Sequence, residues 1–226
     1  MNKFYQGAEK LLVSVDCIIF GFQDNKLKLL IGKRKIEPGV GEWSLYGGFV
    51  RADENLKDAA NRVLYECTGT DNIYMQQVGA FGKIDRDPGD RVISVAYCAL
   101  INVGDYDASL MDRYGLMWAE LDRLPPLYGD HIEMVQKALN QLREQISVKP
   151  LSFKLLPDLF TLTQLQHVHE AVLGEEIDKR NFRKRIKQID YIEKTELIDK
   201  LTSKRGAALY RFNLKAYREA PKFNLK

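Results

Sequence analysis

The alternation of apolar and polar residues predicts that the first part of the chain forms a β-sheet. Leu11 to Phe22 is a nearly continuous run of aliphatic, β-branched and aromatic residues, typical of a buried strand. Asp24 and Asn25 give a turn signal, and Lys26 to Ile31 alternates polar with apolar residues like the second arm of a hairpin. The same criteria predict three further strands, at Ile73 to Asp85, Arg91 to Val103 and Met117 to Leu121.

Two helices are predicted within this first part. In Asn55 to Cys67, apolar residues recur every three or four positions, and Gly69 stands where a helix C-terminus favours glycine. Asp130 to Gln145 is amphipathic, and its predicted inner face consists of Ile132, Val135, Leu139 and Leu142. Strands interleaved with two helices before residue 147 predict an α+β domain built as an α/β/α sandwich.

The pattern changes after a predicted linker, Ser147 to Pro150, so we divide the chain into domains 1–148 and 149–226. Thr163 to Leu173 is an amphipathic helix with apolar residues at helical spacing. Either Thr161 or Thr163 can cap this helix, because each has a glutamine three residues later.

The helix that follows is strongly basic. Lys179 to Gln188 comes after the capping residue Asp178, and its only large apolar side chains, Phe182 and Ile186, lie four residues apart on one face. Residues 200–206 and 207–212 then read as a basic turn that leads into a strand. A helix, a short turn, a basic helix and a basic hairpin follow the order of a winged helix-turn-helix domain.

Charge divides the chain at the same place. Residues 1–150 hold 18 Lys and Arg against 21 Asp and Glu, whereas residues 151–226 hold 16 against 10. Within 179–187, six of nine residues are cationic. A basic second domain behind a mildly acidic first domain predicts that the second domain binds a polyanion.

The basic helix has the composition of a helix that reads DNA. Its two apolar residues dock on a core, which leaves outward cations suited to a major groove, and the hairpin tip can reach a neighbouring phosphate or the minor groove. Polar residues at the N-terminus of the preceding helix suit a phosphate contact. The predicted contacts with double-stranded DNA are Thr163, Gln164, Lys179, Arg180, Arg183, Lys184, Lys187, Lys204 and Arg205.

Composition excludes several other classes of protein. With 45% hydrophobic and 29% charged residues, the chain is typical of soluble proteins, and no apolar run approaches the roughly 18–20 residues that span a bilayer. The first residues lack the pattern of a secretory signal. Cys17, Cys67 and Cys98 lie far apart without C-x-x-C spacing, which argues against a disulfide framework or a zinc site and predicts a cytoplasmic protein with no membrane partner.

A broken phosphohydrolase signature runs from Gly47 to Thr70, with the sequence GGFVRADENLKDAANRVLYECTGT. It resembles the Nudix box of Nudix hydrolases, written G-x5-E-x7-R-E-U-x-E-E-x-G-U, where U is a bulky apolar residue. The residues in register with this pattern are Gly48, Glu54, Arg62, Leu64, Glu66 and Gly69. Val63 and Cys67 stand where two of the three helical glutamates belong. The resemblance implies a Nudix fold whose catalytic site is degenerate.

The missing acids bear directly on catalysis. Nudix hydrolysis needs divalent cations, and magnesium or manganese prefers several carboxylate ligands. Only Glu66 remains of the helical set, while the resemblance gives Glu54 a bracing role in which it pairs with Arg62. We therefore predict that the protein holds no metal or other cofactor, has no catalytic residues and is not an enzyme.

A sandwich without its metals still has a concave polar pocket. Residues 81–97 resemble a family-typical segment, F-G-x-x-x-R-D-P-x-x-R-V-x-S-V-A-Y, whose charged residues face the box in Nudix folds. Acidic and arginine side chains there suit sugar hydroxyls, and an aromatic side chain can stack on a ring. The predicted effector contacts are Trp43, Tyr46, Phe81, Asp85, Arg86, Asp87 and Arg91, with surface salt bridging as the alternative for the charged ones.

Two further motifs make the resemblance more specific. The motifs L-P-x-x-F-T-L-x-x-L-Q and D-K-R-N-F-R-K begin at Leu156 and Asp178, and a terminal ALYRF follows. Together with the degenerate box they resemble the Nudix-related transcriptional regulators, which include NrtR-like regulators of NAD metabolism and AraR-like regulators of sugar utilisation. The resemblance implies a homodimer on a palindromic operator, most simply a repressor, released by a small ligand in the Nudix domain. The loss of two acids relaxes the requirement for a diphosphate ligand and leaves a free sugar, such as L-arabinose, as a candidate effector. The resemblance to the sugar-utilisation branch favours that sugar over ADP-ribose.

Two other functions remain open. The chain could be a Nudix pyrophosphohydrolase that acts on ADP-ribose-like nucleoside diphosphates. It could also be a nonspecific nucleic-acid adaptor, which would bind any duplex with a steep salt dependence and without a response to ligand. Ligand-dependent release from a selected DNA sequence separates the regulator from both.

Overall fold

The computed structural model describes residues 7–71, 73–106, 108–200 and 206–219. The strands within these ranges are β1 (Leu12–Gln23), β2 (Lys26–Lys33), β3 (Trp43–Ser44), β4 (Tyr46–Phe49), β5 (Tyr74–Phe81), β6 (Val92–Asn102), β7 (Leu116–Glu120), β8 (Phe160–Thr161), β9 (Ile192–Asp199) and β10 (Ala207–Phe212). The helices are α1 (Leu56–Thr68), α2 (Ser109–Tyr114), α3 (His131–Ile146), α4 (Leu162–Leu173), α5 (Lys179–Ile186) and α6 (Leu214–Glu219). None of them is both long and apolar enough to cross a bilayer.

A seven-stranded sheet forms the centre of the first domain. Its order is β3-β2-β1-β6-β5, with β4 also paired to β1 and β7 to β2. The central pair, β1 and β6, is parallel, and the other pairs are antiparallel. Residues 15–21 of β1 are buried. Both faces of the strand are covered, which explains why its sequence is a continuous apolar run.

Helices cover the two faces of this sheet. Cys17 and Ile19 of β1 pack in a cluster with α1, whereas Ile18 and Phe20, which point to the other face, pack in a cluster with α3. Two apolar layers on opposite faces of one sheet make an α/β/α sandwich, so this prediction is confirmed.

Two local predictions in this domain were wrong in part. The strand predicted for 73–85 ends at Phe81, because the chain then turns so that the charged side chain of Arg86 reaches buried acidic partners. The buried face of α3 is also rotated from the predicted one, and Ile132 is 38% exposed. Because α3 lies between the sheet and α4, its buried residues are His131, Met134, Val135, Ala138, Leu142 and Ile146.

The second domain has the predicted winged helix order: β8 precedes α4 and α5, β9 and β10 follow them, and the three strands form a sheet of order β8-β10-β9. Of the two candidate caps of α4, Thr161 is the one used: its side chain accepts a hydrogen bond from the backbone N–H of Gln164, 3.1 Å away. Asp178 caps α5 as predicted, and Phe182 and Ile186 are buried. Helix α5 ends two residues before the predicted Gln188.

The two domains share one apolar core. The cluster between the sheet and α3 continues through a 3-10 turn at Pro150–Lys154 into α4 and α5. Arg143 of α3 donates to the carbonyl of Val172 at 2.9 Å, and His167 of α4 lies 2.8 Å from the amide oxygen of Asn25 in the β1–β2 turn. The domain boundary placed after residue 148 stays a prediction, because apolar packing is continuous across it.

Candidate effector cavity and DNA-binding surface

A cavity of about 280 Å³ lies in the first domain beside the ends of β1, β2 and β4. The loop after β5 and the start of α3 close its other side. The polar and aromatic residues that line it include Asp16, Lys33, Arg34, Lys35, Tyr46, Arg86, Asp87, Tyr114, Tyr128 and His131.

The floor of the cavity is a network of buried charges. Asp16, only 7% exposed, accepts a hydrogen bond from the hydroxyl of Ser94 at 2.5 Å. The side chain of Arg86 is 5% exposed and binds both carboxylate oxygens of Asp130, at 2.8 and 3.1 Å, with Asp16 at 3.9 Å. Because a buried charge is tolerated only when it is paired, these contacts fix the positions of all three charged groups.

His131 completes this floor as a neutral side chain. Its Nδ1 accepts a hydrogen bond from the backbone N–H of Leu45 at 3.1 Å, so the proton of the neutral ring belongs on Nε2. Nε2 faces Asp16 at 3.8 Å. Burial lowers the pKa of His131 below its ordinary value, which keeps the ring neutral at physiological pH.

Cations on aromatic rings form the rim of the cavity. The guanidinium of Arg34 lies 3.9 Å from the centre of the Tyr128 ring, and the ammonium of Lys35 lies 5.5 Å from that of Tyr114. Tyr46 contacts Tyr114 edge to face at 5.9 Å. Cations and rings held together in this way can bind an anionic ligand that also has an aromatic group.

The structure brings only part of the predicted effector set to the cavity: Tyr46, Arg86 and Asp87 are among the lining residues. Trp43, Phe81, Asp85 and Arg91 are not, and their role in effector binding stays a prediction. Arg91, for example, donates to the carbonyls of Gly82 and Lys83 at 3.0 and 3.1 Å and so braces the loop instead.

Sequence reasoning missed several residues of the cavity. Asp16 had a signal, because a single acid inside an apolar strand must have a partner or a ligand. Lys33, Arg34 and Lys35 are three consecutive cations after a strand. His131 and Tyr128 had no such signal, since only the tertiary fold brings them beside β1 and β2.

The degenerate box retains its bracing pair. Arg62 binds both carboxylate oxygens of Glu54, at 2.7 and 3.0 Å, and also donates to the carbonyl of Phe49 at 3.1 Å. Hydrogen bonds from Arg62 and from the Arg51 backbone lower the pKa of Glu54 to about 2. The prediction that Glu54 and Arg62 staple the loop to the helix is confirmed.

The donor set of the box does not fit a Nudix metal site. Val63 and Cys67 are buried in the apolar layer beneath α1, and burial raises the pKa of the Cys67 thiol to about 12, so it stays protonated. Glu66 lies 3.4 Å from Arg62, which also holds Glu54. Among the described residues, no three acids, histidines or cysteines are grouped to hold a metal ion.

The basic helix α5 presents most of its predicted cations to solvent. Lys179, Arg180, Lys184 and Lys187 are exposed. Arg183 is half-buried, and its Nη2 donates to the hydroxyl of Thr163 at 3.2 Å, so the prediction that it points fully outward was wrong in part. Its position on the side of α5 nearest α4 explains this contact. The predicted contacts Lys204 and Arg205 lie outside the described residues.

Four of the predicted DNA contacts line one groove. Thr163, Gln164, Lys179 and Arg183 border a space of about 740 Å³ between α4, α5 and β10, and Asn25 of the first domain lies at its edge. Helix N-termini and cations on the same groove suit a phosphate backbone. The role of each residue in binding DNA stays a prediction.

A Nudix sandwich with a degenerate box, continuous with a basic winged helix, defines a class of two-domain regulators, and comparison with known proteins agrees. Residues 10–137 match the NUDIX domain family, and residues 152–212 match the NrtR DNA-binding winged helix domain. The ADPR responsive transcriptional repressor NtrR of Acinetobacter baylyi is 36% identical over 210 residues, covering 91% of this chain and 84% of that protein.

Two further proteins are similar. The crystal structure of Shewanella oneidensis NrtR complexed with a 27mer DNA has a TM-score of 0.82 and 30% identity, covering 91% of this chain and 95% of that one. An ADP-ribose pyrophosphatase of Methanocaldococcus jannaschii is 34% identical over 124 residues, 55% of this chain and 70% of that protein. The chain belongs to the NrtR-like family of Nudix-related regulators, as its box and its two motifs predicted.

Proposed function

We propose that this protein is a transcriptional repressor that leaves its operator when ADP-ribose binds in the Nudix cavity. The observation that carries the proposal is the cation-lined and aromatic-lined cavity beside a box without a metal site. ADP-ribose has a diphosphate for the cations, a base for the rings and ribose hydroxyls for Asp16. The related protein of Acinetobacter baylyi is an ADPR-responsive repressor.

The residues that line the effector cavity favour ADP-ribose over the free sugar that the sequence resemblance predicted. A neutral pentose such as L-arabinose would need hydrogen-bonding groups like Asp16 but would gain little from Lys33, Arg34 and Lys35. Two of the relatives reported above are named for ADP-ribose. Sugars therefore belong in the ligand test as the competing class.

The same cavity is proposed to bind ADP-ribose without cleaving it. Hydrolysis of a diphosphate needs metal ions, and the two positions that lost their acids now pack in the core. The Methanocaldococcus jannaschii relative supports pyrophosphohydrolase activity as the alternative, although its match is to 55% of this chain. Cleavage of ADP-ribose in the presence of magnesium would favour that alternative.

On the DNA side, we propose that α5 enters the major groove with Arg180 and Lys184 toward the duplex. One such helix per protomer reads only a short half-site, so a homodimer on a palindromic operator is the arrangement that gives selectivity. The effector would then act by linkage, because it need only prefer the dimer geometry that cannot span both half-sites. A difference of about 2–3 kcal/mol weakens the DNA complex by about 30- to 150-fold.

The first experiment measures selective DNA binding. Purified protein is titrated onto fragments from upstream of its own gene and its neighbours, at near-physiological salt with competitor DNA. We expect the double variant Arg180→Ala/Lys184→Ala to bind the selected fragment about 100-fold more weakly, with a smaller salt dependence. Lys149→Ala/Lys154→Ala removes the same charge from other exposed positions and should change affinity by less than about threefold.

The second experiment adds ligands to the preformed complex. ADP-ribose, NAD, AMP and L-arabinose are compared, and release by ADP-ribose alone supports the proposal. Release by L-arabinose alone would show that the sugar, and not ADP-ribose, is the effector. Equal binding to random DNA without any release would support the nonspecific adaptor instead.

A further inference from the structure

Four cations border the effector cavity, and they differ in what they already bind. Arg86 is buried and bound by Asp130. The ammonium of Lys35 donates to the carbonyl of Arg113 at 3.1 Å. Lys33 is exposed, with its ammonium 5.1 Å from the centre of the Trp43 ring.

The fourth cation, Arg34, is both oriented and available. Its Nε donates to the carbonyl of Pro38 at 2.8 Å, while the guanidinium lies 3.9 Å from the centre of the Tyr128 ring. Among the described residues, none accepts a hydrogen bond from the two terminal nitrogens of Arg34. One donor and one face of the guanidinium therefore hold it in place, and the other donors remain for a ligand.

The Tyr128 ring forms a platform beneath the guanidinium of Arg34 and is itself held in place. Tyr128 is 7% exposed, and its backbone N–H donates to the carbonyl of Trp43 at 2.8 Å. Gly39, in the loop that begins with Arg34, lies so close that an added Cβ would come within 2.6 Å of the Tyr128 ring. Gly39 also has a φ of +84°, a backbone conformation that favours glycine. The loop and the ring thus pack as one unit.

We propose that Arg34 binds the diphosphate of the effector and that Tyr128 is the positioning residue that orients its guanidinium. This rests on the proposed function, because the ligand is taken to be a nucleoside diphosphate. A guanidinium presents parallel N–H donors that match two phosphate oxygens, which an ammonium cannot do. Since ring and loop already fix the side chain, little conformational freedom is lost on binding.

The test compares neighbouring cations in the full-length protein by calorimetric titration with ADP-ribose. Arg34→Ala should weaken the affinity by about 30- to 100-fold, because charge-assisted hydrogen bonds to phosphate are lost. Lys35→Ala removes the same charge from the next residue and should cost about threefold or less, because its ammonium already donates to the carbonyl of Arg113 and contributes its charge but no hydrogen bond to the ligand. Equal losses for the two variants would overturn the proposal, since only net charge would then matter.

Further substitutions separate geometry from charge and from folding. Arg34→Lys keeps the charge but loses the planar fork, and should weaken ADP-ribose binding about tenfold. Tyr128→Phe keeps the ring and should bind as the unchanged protein does, whereas Tyr128→Leu removes the ring and should bind about fivefold more weakly. Unchanged ADP-ribose affinity in Arg34→Lys would contradict the claim that the planar guanidinium binds two phosphate oxygens. Equal affinities in the two Tyr128 variants would contradict the claim that the Tyr128 ring orients Arg34.

Two controls separate this inference from the proposed function. The thermal midpoints of the ligand-free variants at positions 34 and 35, and the operator affinity of every variant, should match the unchanged protein, so that a loss of ligand affinity reports the cavity alone. Tyr128→Leu loses a buried ring and should unfold at a lower temperature, so it is titrated well below its midpoint, where its operator affinity shows that it is folded. If the unchanged protein does not bind ADP-ribose, both the proposed function and this inference fail. If it binds ADP-ribose and Arg34→Ala binds equally well, only this inference fails.

Discussion

The two domains place their charged groups in opposite ways. In the Nudix domain, Asp16, Arg86 and Asp130 are buried and paired on the cavity floor. In the winged helix, Arg180 and Lys184 are exposed on α5 and have no acidic partner among the described residues. A small ligand is bound by groups whose positions are fixed in advance, whereas a polyanion is bound by outward charge that nothing else neutralises.

This difference has an energetic basis. A charge buried without a partner costs several kcal/mol, so every ion on the cavity floor needs a bound counterpart. An exposed lysine or arginine costs little to keep, and it contributes to DNA binding by releasing counterions. The first domain should therefore resist added buried charge, while the second should tolerate changes to its surface.

The largest predicted effect tests the interior of the Nudix domain. Val63→Glu restores an acid of the box at a position that is fully buried beside Ala59 and Ala60. We expect the free energy of unfolding, measured with urea, to fall by about 4 kcal/mol, because the carboxylate gains no partner there. Magnesium should not restore the lost stability.

A glutamate on the exposed side of the same helix is the control. Tyr65→Glu introduces the same charge at a position 53% exposed and should change the stability by less than about 1 kcal/mol. If Val63→Glu were as stable as Tyr65→Glu, the interior of the box would not be closed, and the argument against a metal site would weaken.

The next effect is a pH dependence that comes from the interior of the winged helix. His169 is 2% exposed and contacts the Phe182 ring, and burial lowers its pKa to about 4. Well above pH 6.5 the His169 ring is neutral in both the folded and the unfolded state, so its protonation does not change the free energy of unfolding. As the pH falls from 6.5 to 4, only the unfolded state takes up the proton, so stability should fall by about 2 kcal/mol at pH 5 and about 3 kcal/mol at pH 4.

Urea unfolding of His169→Phe at pH 7 and pH 5 measures this contribution. The variant should lose about 2 kcal/mol less than the unchanged protein between these two values. His167→Gln, at a half-buried position on the same helix, should keep the original pH dependence. His131, whose pKa is also lowered by burial, should leave a pH dependence of its own in His169→Phe. If His169→Phe lost as much stability as the unchanged protein between pH 7 and pH 5, His169 would not be the source of the difference.

The lowered pKa of Glu54 predicts a separate loss of stability at more acidic pH, between about 4.5 and 2, because protonation of the Glu54 carboxylate breaks its ion pair with Arg62.

Sequence patterns predicted those features of the two domains that a short stretch of the chain determines. The Glu54–Arg62 pair follows from box spacing, and the docking of Phe182 and Ile186 follows from helical periodicity. The cavity floor could not be predicted in this way, because it joins residues from β1, β6, the loop after β5 and the start of α3. Helices α2 and α6 were also missed, since six residues are too few to establish a helical period.

The smallest predicted effect concerns the link between the two regions. Strand β2 ends at the cations of the cavity rim, and the turn before it carries Asn25, whose amide oxygen contacts His167 of α4 at 2.8 Å. Asn25 has a φ of +59°, so Asn25→Gly keeps the turn and removes only the side chain. We expect ADP-ribose to weaken DNA binding about threefold less in this variant, while the affinity for each ligand alone changes by less than about twofold.

Lys26, which follows the turn as the first residue of β2, provides the control for this coupling. Lys26→Ala loses an ion pair with Glu120 inside the first domain, and among the described residues Lys26 has no hydrogen bond or ion pair with α4, so its coupling should equal that of the unchanged protein. The measurement is operator affinity with and without saturating ADP-ribose for all three proteins. If Asn25→Gly couples as strongly as Lys26→Ala, the signal does not pass through the turn, and the contact of Arg143 with Val172 becomes the route to test. A coupling reduced in Asn25→Gly and unchanged in Lys26→Ala would assign the link between the paired charges of one domain and the unpaired charges of the other to the contact of Asn25 with His167.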